Sequence, residues 1–123
     1  MYMSSIQAQI LLNNFKTFDK KMRVLKQLSD TYNKEFGYEN TSQHLYRIEV
    51  LDNKKFINKM KQLGIVCGIH YPALHLNDVY NKNWKWDCPK SEALQNRTVS
   101  LPMNEKLSFL ELEYIIDKVK ENI

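Results

Sequence analysis

Glycine, cysteine and long apolar runs are all scarce in this chain of 123 residues. Its three glycines, Gly37, Gly64 and Gly68, cannot be assembled into a Gly-rich phosphate loop of the GxGxxG or GxxxxGK[ST] kind. Its two cysteines are too few for a disulfide framework, which favours a cytoplasmic protein with reduced thiols. No stretch reaches the ~20 apolar residues that cross a bilayer, and no secretory signal is recognisable, so no membrane association is expected.

An excess of charge is also lacking. The 18 basic residues nearly balance the 14 acidic ones, and the basic residues form no run of five. A nucleic-acid-binding protein concentrates its positive charge on one stripe, so no nucleic-acid partner is expected. Hydrophobic residues make up 43% and charged residues 26% of the chain, which indicates a single folded domain.

The N-terminal third of the chain has helical periodicity. Apolar residues recur mostly three or four apart from Ile6 to Phe36, which predicts a helix over 4–36, continuous or with a slight break. Gly37 supplies the C-terminal stop. A helix of this length is long for so small a domain, so we expect it to project beyond its own core or to pack against something outside this chain.

The rest of the chain alternates strands and helices. Strands are predicted at 44–51, 65–69 and 98–102, and a helix capped by Asp52 and stopped by Gly64 separates the first two. A short helix begins at Pro89 and runs to about Arg97. Ser108 and Glu111 form a capping box for a last helix, which turns four apolar residues inward: Leu112, Ile115, Ile116 and Val119. The predicted class is α+β, with a short three-stranded sheet covered by helices.

The stretch GIHYPALHLNDVY, residues 68–80, carries the most polar chemistry. His70 and Tyr71 follow a predicted strand and precede a proline, so their side chains lie at the end of a sheet, where ligands often bind. A zinc site is the first alternative, with four ligands spaced C-x2-H-x4-H-x12-C: Cys67, His70, His75 and Cys88. That spacing matches no familiar zinc site, and Cys67 is expected in the core. No metal is therefore expected.

Two further alternatives concern the region between 84 and 89. Cys88 precedes a predicted helix, where a thiol pKa falls, but no histidine is marked out as its base. Trp84, Lys85 and Trp86 form an aromatic and basic cluster of the kind that stacks on nucleobases. Such a loop more often folds its tryptophans over the edge of the domain, so both alternatives rank below substrate binding at His70 and Tyr71.

Several motifs together resemble one family. Beginning at Gly64 the chain reads GIVCGIHYPALHLNDVY, PKSEAL, RTVSLPMNEKLS and YIIDKV, and its N-terminus contains MSSIQAQ. This order of motifs resembles the C-terminal region of the DegT/DnrJ/StrS aminotransferases. Members of that family are fold-type I enzymes that use pyridoxal phosphate to aminate keto groups on nucleotide-linked sugars. The resemblance covers nearly all of the chain.

The resemblance implies a domain assignment. Residues 1–123 correspond to the family's small domain, with an interdomain helix at 1–37 and an α+β core at 44–123. The family's large domain carries the lysine that forms the Schiff base, and no lysine here lies in a similar Gly-rich segment. We therefore expect no catalytic residue and no covalently bound cofactor in this chain, and pyridoxal phosphate only in the complete enzyme.

The resemblance also implies roles for single residues. His70 and Tyr71 match the family's His-Tyr pair, which contacts the sugar or its acidic substituent, and His75 matches a later histidine of more variable role. The expected substrate-binding residues are thus His70, Tyr71 and His75. Tyr2 departs from the arginine or asparagine usual in the family, which puts a cross-dimer contact there in doubt. Structural roles are expected for three further residues: Glu92, which serves a helix start, Arg97 and Pro102.

The expected partners follow from the same family. They are a large cofactor-binding domain supplied in trans, or a second copy in a dimer, and a nucleotide-sugar substrate used in polysaccharide or sugar biosynthesis. Two alternatives stay open. The chain could be a non-catalytic dimerisation module derived from the family, or part of a family dehydratase in which histidine replaces the lysine.

Overall fold

The computed structural model describes residues 2–82 and 86–123. A short 3-10 turn at Leu74–Leu76 precedes the third helix. The elements in chain order are α1 Ser5–Phe36, β1 Tyr46–Glu49, α2 Asn53–Gln62, α3 Asp78–Asn81, α4 Pro89–Gln95, β2 Thr98–Leu101 and α5 Phe109–Lys120. This mixture of helices with a small antiparallel sheet confirms the α+β class.

Helix α1 is a single helix of 32 residues, so of the two predicted forms, continuous or slightly broken, the continuous one is confirmed. Ser4 and Gln7 form a capping box at its start, and Gly37 ends it with a φ of 72°, a conformation that glycine adopts without steric cost. Only the C-terminal half reaches the core, where Leu28 and Tyr32 are buried. Neither α1 nor any other helix within the described residues is both long and apolar enough to cross a membrane.

The sheet contains two antiparallel strands within the described part of the chain. Their register runs from the pair Tyr46 and Leu101 to the pair Glu49 and Thr98. The strand predicted at 65–69 is reduced to one bridge, in which Gly68 and Ser100 exchange backbone hydrogen bonds of 3.0 and 2.8 Å. Pairing stays this short because Gly64 turns the chain just before it and Pro72, which has no N–H, follows just after.

The core lies between the sheet, α2, α5 and the C-terminal half of α1. The inward face of α5 is confirmed, because Leu112, Ile115, Ile116 and Val119 are all buried. An aromatic contact joins α1 to β1, with the ring centroids of Tyr32 and Tyr46 4.7 Å apart. The hydroxyl of Tyr32 donates to the carbonyl of Pro102 at 2.9 Å, so α1 is also fixed to the segment after β2.

Asn53 is a buried polar residue at the start of α2, with 1% of its surface exposed. Its side-chain amide donates to the carbonyls of Gln95 and Thr98 at 2.7 and 3.1 Å, and its backbone N–H donates to Asn96. A buried amide is stable only when such bonds are made. Asn53 therefore fixes the end of α4 and the start of β2 to the core.

We predict that Asn53→Ala lowers the free energy of unfolding by about 2 kcal/mol, because two partly buried carbonyls lose their donor. Urea denaturation of the chain measures the change. Asn58→Ala is the matched control, since Asn58 is exposed on the same helix, and its effect should stay within about 0.5 kcal/mol. Equal stability of the two variants would contradict the role given to Asn53.

Candidate functional site

The ring of His70 packs directly on the backbone of Gly68. A Cβ atom added to Gly68 would lie 2.7 Å from Cε1 of His70, closer than such atoms approach in proteins. Glycine is therefore required here for the ring to adopt its observed position. Because Gly68 is bonded to Ser100 of β2, the position of the His70 ring is set by the edge of the sheet.

His70 and Tyr71 differ in exposure. Nδ1 of His70 is buried and has no hydrogen-bond partner among residues 2–82 and 86–123. The ring of Tyr71 meets that of His70 edge-on, with centroids 5.1 Å apart and an interplanar angle of 87°, across a cis peptide bond. Tyr71 itself is 69% exposed. The turn thus places an exposed phenol beside an imidazole whose Nδ1 has no hydrogen-bond partner in the described part of the chain.

His75 faces helix α4. Its Nε2 lies 2.9 Å from Oε1 of Glu92, and only 10% of its side chain is exposed. Sequence reasoning assigned Glu92 to the helix start, and Glu92 does lie in the first turn of α4. The contact with His75 is an additional role that the sequence did not reveal, because 17 residues separate the two.

Gln95 is a second contact between α4 and the turn. Its Oε1 accepts a hydrogen bond of 3.0 Å from the backbone N–H of Ala73, while its own carbonyl accepts from Asn53. Sequence reasoning missed Gln95 and Asn53. The only signal for either was a polar residue near a helix end, which is ordinarily a cap or a solvated side chain.

An open surface pocket of about 400 Å³ lies beside His75. Its lining includes Leu74, Tyr80, Trp86 and Cys88. Of the predicted aromatic and basic cluster, Trp86 lines this pocket, whereas Trp84 and Lys85 lie outside the described residues.

Cys67 is unsuited to metal binding or nucleophilic chemistry. It packs against the hydrophobic core, and burial raises the pKa of its thiol to about 11. The thiol therefore stays protonated near neutral pH, whereas metal ligation and nucleophilic attack need the thiolate. Within residues 2–82 and 86–123, no three His, Cys, Asp or Glu side chains are grouped so that they could hold a metal ion.

The N-terminal half of α1 carries a second feature, an exposed apolar face. Counting back from buried Tyr32 in steps of three or four residues gives Leu28, Leu25, Met22, Phe18, Phe15 and Leu11. We call Leu11, Phe15 and Phe18, which are all exposed, the apolar stripe. The face of α1 that is buried in its C-terminal half is thus uncovered in its N-terminal half. Contiguous exposed apolar surface of this kind marks an interaction site.

Comparison with known proteins gives one consistent result. Residues 1–120 match the model of the DegT/DnrJ/EryC1/StrS aminotransferase family. Among curated proteins, the uncharacterised protein MJ1066 of Methanocaldococcus jannaschii is 25% identical over 97% of this chain and 36% of its own length.

Solved structures that are similar in fold and sequence include one from Brucella abortus and one from Streptococcus pneumoniae. A DegT/DnrJ/EryC1/StrS aminotransferase from Brucella abortus superimposes with a TM-score of 0.85 at 25% identity. Spr1654 of Streptococcus pneumoniae, described as a sugar aminotransferase, superimposes with a TM-score of 0.87 at 26% identity, and its PLP and PMP forms match as well. Each match covers 97% of this chain and 35% of the other. The chain therefore spans about a third of the length of these relatives.

We predict that Gly68→Ala displaces the ring of His70 and leaves the fold in place, because Cε1 is the far end of a side chain that can rotate away. The stability cost should be about 1 kcal/mol. NMR should show altered ring signals for His70 and unchanged ring signals for His75.

Gly37→Ala is the matched control for this substitution. Nothing lies within 4 Å of the added methyl group, but the φ of 72° makes alanine unfavourable there by about 1–2 kcal/mol. This variant should lose stability without moving His70. Unaltered His70 signals in Gly68→Ala would show that the glycine does not set the position of the ring.

Proposed function

The chain belongs to the DegT/DnrJ/EryC1/StrS aminotransferase family, and from this premise we propose that it is the sugar-binding small domain of a pyridoxal-phosphate-dependent enzyme. The reaction is transfer of an amino group, from a donor such as glutamate, to the keto group of a nucleotide-linked sugar. In this proposal the chain contributes substrate contacts and a domain interface, and the large domain contributes the covalent chemistry. A cytoplasmic location stays a prediction.

The observation that carries the proposal is the apolar stripe on α1. Leu11, Phe15 and Phe18 continue the face of α1 that packs in the core. A surface that covers these side chains must therefore lie next to the core of this domain. Burying one such side chain contributes about 1.5–3 kcal/mol. The matched relatives are about three times longer, since the chain covers 35% of them. A large domain docked on this face would account for the stripe.

Pyridoxal phosphate, when bound, supplies an electron sink that carries the amino group between donor and acceptor. The groups at the candidate site do not fit a covalent site for it. Residues 68–80 contain imidazole, phenol, amide, carboxylate and apolar side chains and no lysine, whereas the covalent link requires a lysine amine. We therefore assign no step through the cofactor to this chain.

The chain's own contribution is orientation of the sugar. Tyr71 is mostly exposed, and His70 has a nitrogen without a partner in the described residues. An unpaired buried nitrogen is unfavourable, and a polar group that arrives with a substrate or a partner domain would satisfy it. Two hydrogen bonds from fixed side chains would hold the keto carbon in place, which accelerates the reaction by positioning rather than by proton transfer.

We predict that His70→Ala lowers kcat/KM for the sugar nucleotide by about 10- to 100-fold, the loss of one hydrogen bond to a polar or charged group. The enzyme for this test is the chain combined with the large domain of a family member from the same genome. Loading of the cofactor by the amino donor should be unchanged. His44→Ala is the control, since His44 is an exposed histidine outside the site. An unchanged kcat/KM in His70→Ala would refute the assigned role.

We predict that replacing Phe15 and Phe18 together by Gln abolishes association with the large domain, measured by analytical ultracentrifugation of the mixture. Lys16→Gln is the control, because Lys16 is exposed and lies about 100° to 160° around the helix axis from the three stripe residues. A chain that instead dimerises through the stripe and ignores the large domain would support the alternative of a non-catalytic interaction module.

A further inference from the structure

Helix α4 contacts the His-Tyr-Pro turn through two side chains that lie one helical turn apart. Glu92 Oε1 is 2.9 Å from Nε2 of His75, and Gln95 Oε1 accepts the backbone N–H of Ala73 at 3.0 Å. Residues three apart on a helix lie on one face, so both contacts come from the same side of α4. We call Glu92 and Gln95 the α4 clamp.

The clamp is itself attached to the core. The carbonyl of Gln95 accepts a 2.7 Å hydrogen bond from Asn53, and the carbonyl of Arg97 accepts a 2.8 Å bond from the N–H of Val50. Asn53 and Val50 are both buried. A continuous set of hydrogen bonds therefore runs from the interior of the domain through the end of α4 to the backbone of Ala73.

The His-Tyr pair is held between two fixed points. On one side Gly68 is bonded in both directions to Ser100 of β2. On the other side Ala73 is bonded to Gln95, with Pro72 before it restricting the backbone further. Only residues 69–72 lie between these two anchors, and they include both His70 and Tyr71. If either anchor is lost, the turn that carries these side chains gains freedom.

His75 differs from His70 in what its ring nitrogens do. Its Nε2 is occupied by Glu92 and its side chain is almost fully buried. The nearby His70 has an unpartnered Nδ1 within the described residues. Their environments therefore favour different roles, with His75 as an anchor of the turn and His70 as a ligand-contacting group.

We propose that Glu92 and Gln95 are positioning residues, which bind no substrate and act by fixing His75 and Ala73 so that His70 and Tyr71 are held ready for the sugar. This inference rests on the proposed function of the turn. It assigns His75 to the anchor rather than to the substrate, and gives α4 a role in substrate binding.

The first test uses the 123-residue chain and compares variants that keep or remove a hydrogen-bond acceptor. Gln95→Leu removes the acceptor for the Ala73 amide, whereas Gln95→Glu keeps one. Amide hydrogen exchange at Ala73 should be at least about 10-fold faster in Gln95→Leu and near wild type in Gln95→Glu. Exchange at Ile48 and Val99 in the sheet should not change in either variant. Unchanged Ala73 exchange in Gln95→Leu would overturn the inference.

The second test uses the chain combined with the large domain and a panel of UDP-, dTDP- and GDP-linked 4-keto-6-deoxy sugars, from which the fastest wild-type substrate is chosen. Glu92→Leu and Gln95→Leu should lower kcat/KM for that sugar by about 10-fold. Glu92→Gln and Gln95→Glu, which keep an acceptor, should stay within about 2-fold of wild type. Loading of the cofactor by the amino donor should be the same in all four, since that step does not use the turn.

The outcomes separate this inference from the proposed function. If His70→Ala lowers turnover of the sugar and the two leucine variants do not, the clamp inference is overturned and the proposed function stands. If His70→Ala leaves turnover unchanged, the proposed function of the turn is overturned, and the inference about Glu92 and Gln95 is overturned with it. Turnover that falls in both leucine variants, with rescue by the acceptor-keeping variants, supports the clamp.

Discussion

The backbone pairing of Gly68 with Ser100 is the constraint on which the candidate site depends. Ser100 belongs to a buried strand that is itself paired with β1, so its two hydrogen bonds to Gly68 transmit the rigidity of the core to the start of the turn. The absent side chain of Gly68 then admits the ring of His70. Gly68 thus connects the sheet to the site in two ways. Its backbone is hydrogen-bonded to Ser100, and its lack of a side chain leaves room for the ring of His70.

The two halves of helix α1 have different surroundings. Its C-terminal half is stabilised by the core and by ion pairs such as Lys120 with Glu35, whereas its N-terminal half carries the apolar stripe in solvent. The exposed half adds little to the stability of the isolated chain. A partner that covers the stripe would stabilise the folded state by mass action. Under the proposed function, the C-terminal half of α1 would serve folding and its N-terminal half would serve docking of the large domain.

Local chemistry explains why most element boundaries could be predicted. The capping box of Ser108 and Glu111 and the left-handed glycine at Gly37 act within one helical turn, so a short stretch of sequence contains the whole signal. The segment at 65–69 was harder, because its apolar residues indicate burial without indicating how much of it reaches a partner strand. The structure leaves it one bridge at Gly68.

The candidate site shows where local signals end. His70 and Tyr71 could be selected from a motif, but the contacts that hold their turn join residues far apart in sequence: 17 residues for His75 with Glu92, 22 for Ala73 with Gln95, and 42 for Asn53 with Gln95. No periodicity of the sequence indicates such pairs.

The two histidines of HYPALH illustrate the consequence. They have the same side chain and nearly the same place in the chain, yet Glu92 engages a nitrogen of one and no described residue engages Nδ1 of the other. Because the hydrogen bonds that each ring nitrogen already makes limit what an imidazole can bind, the surroundings of the two rings distinguish them, and the motif alone does not.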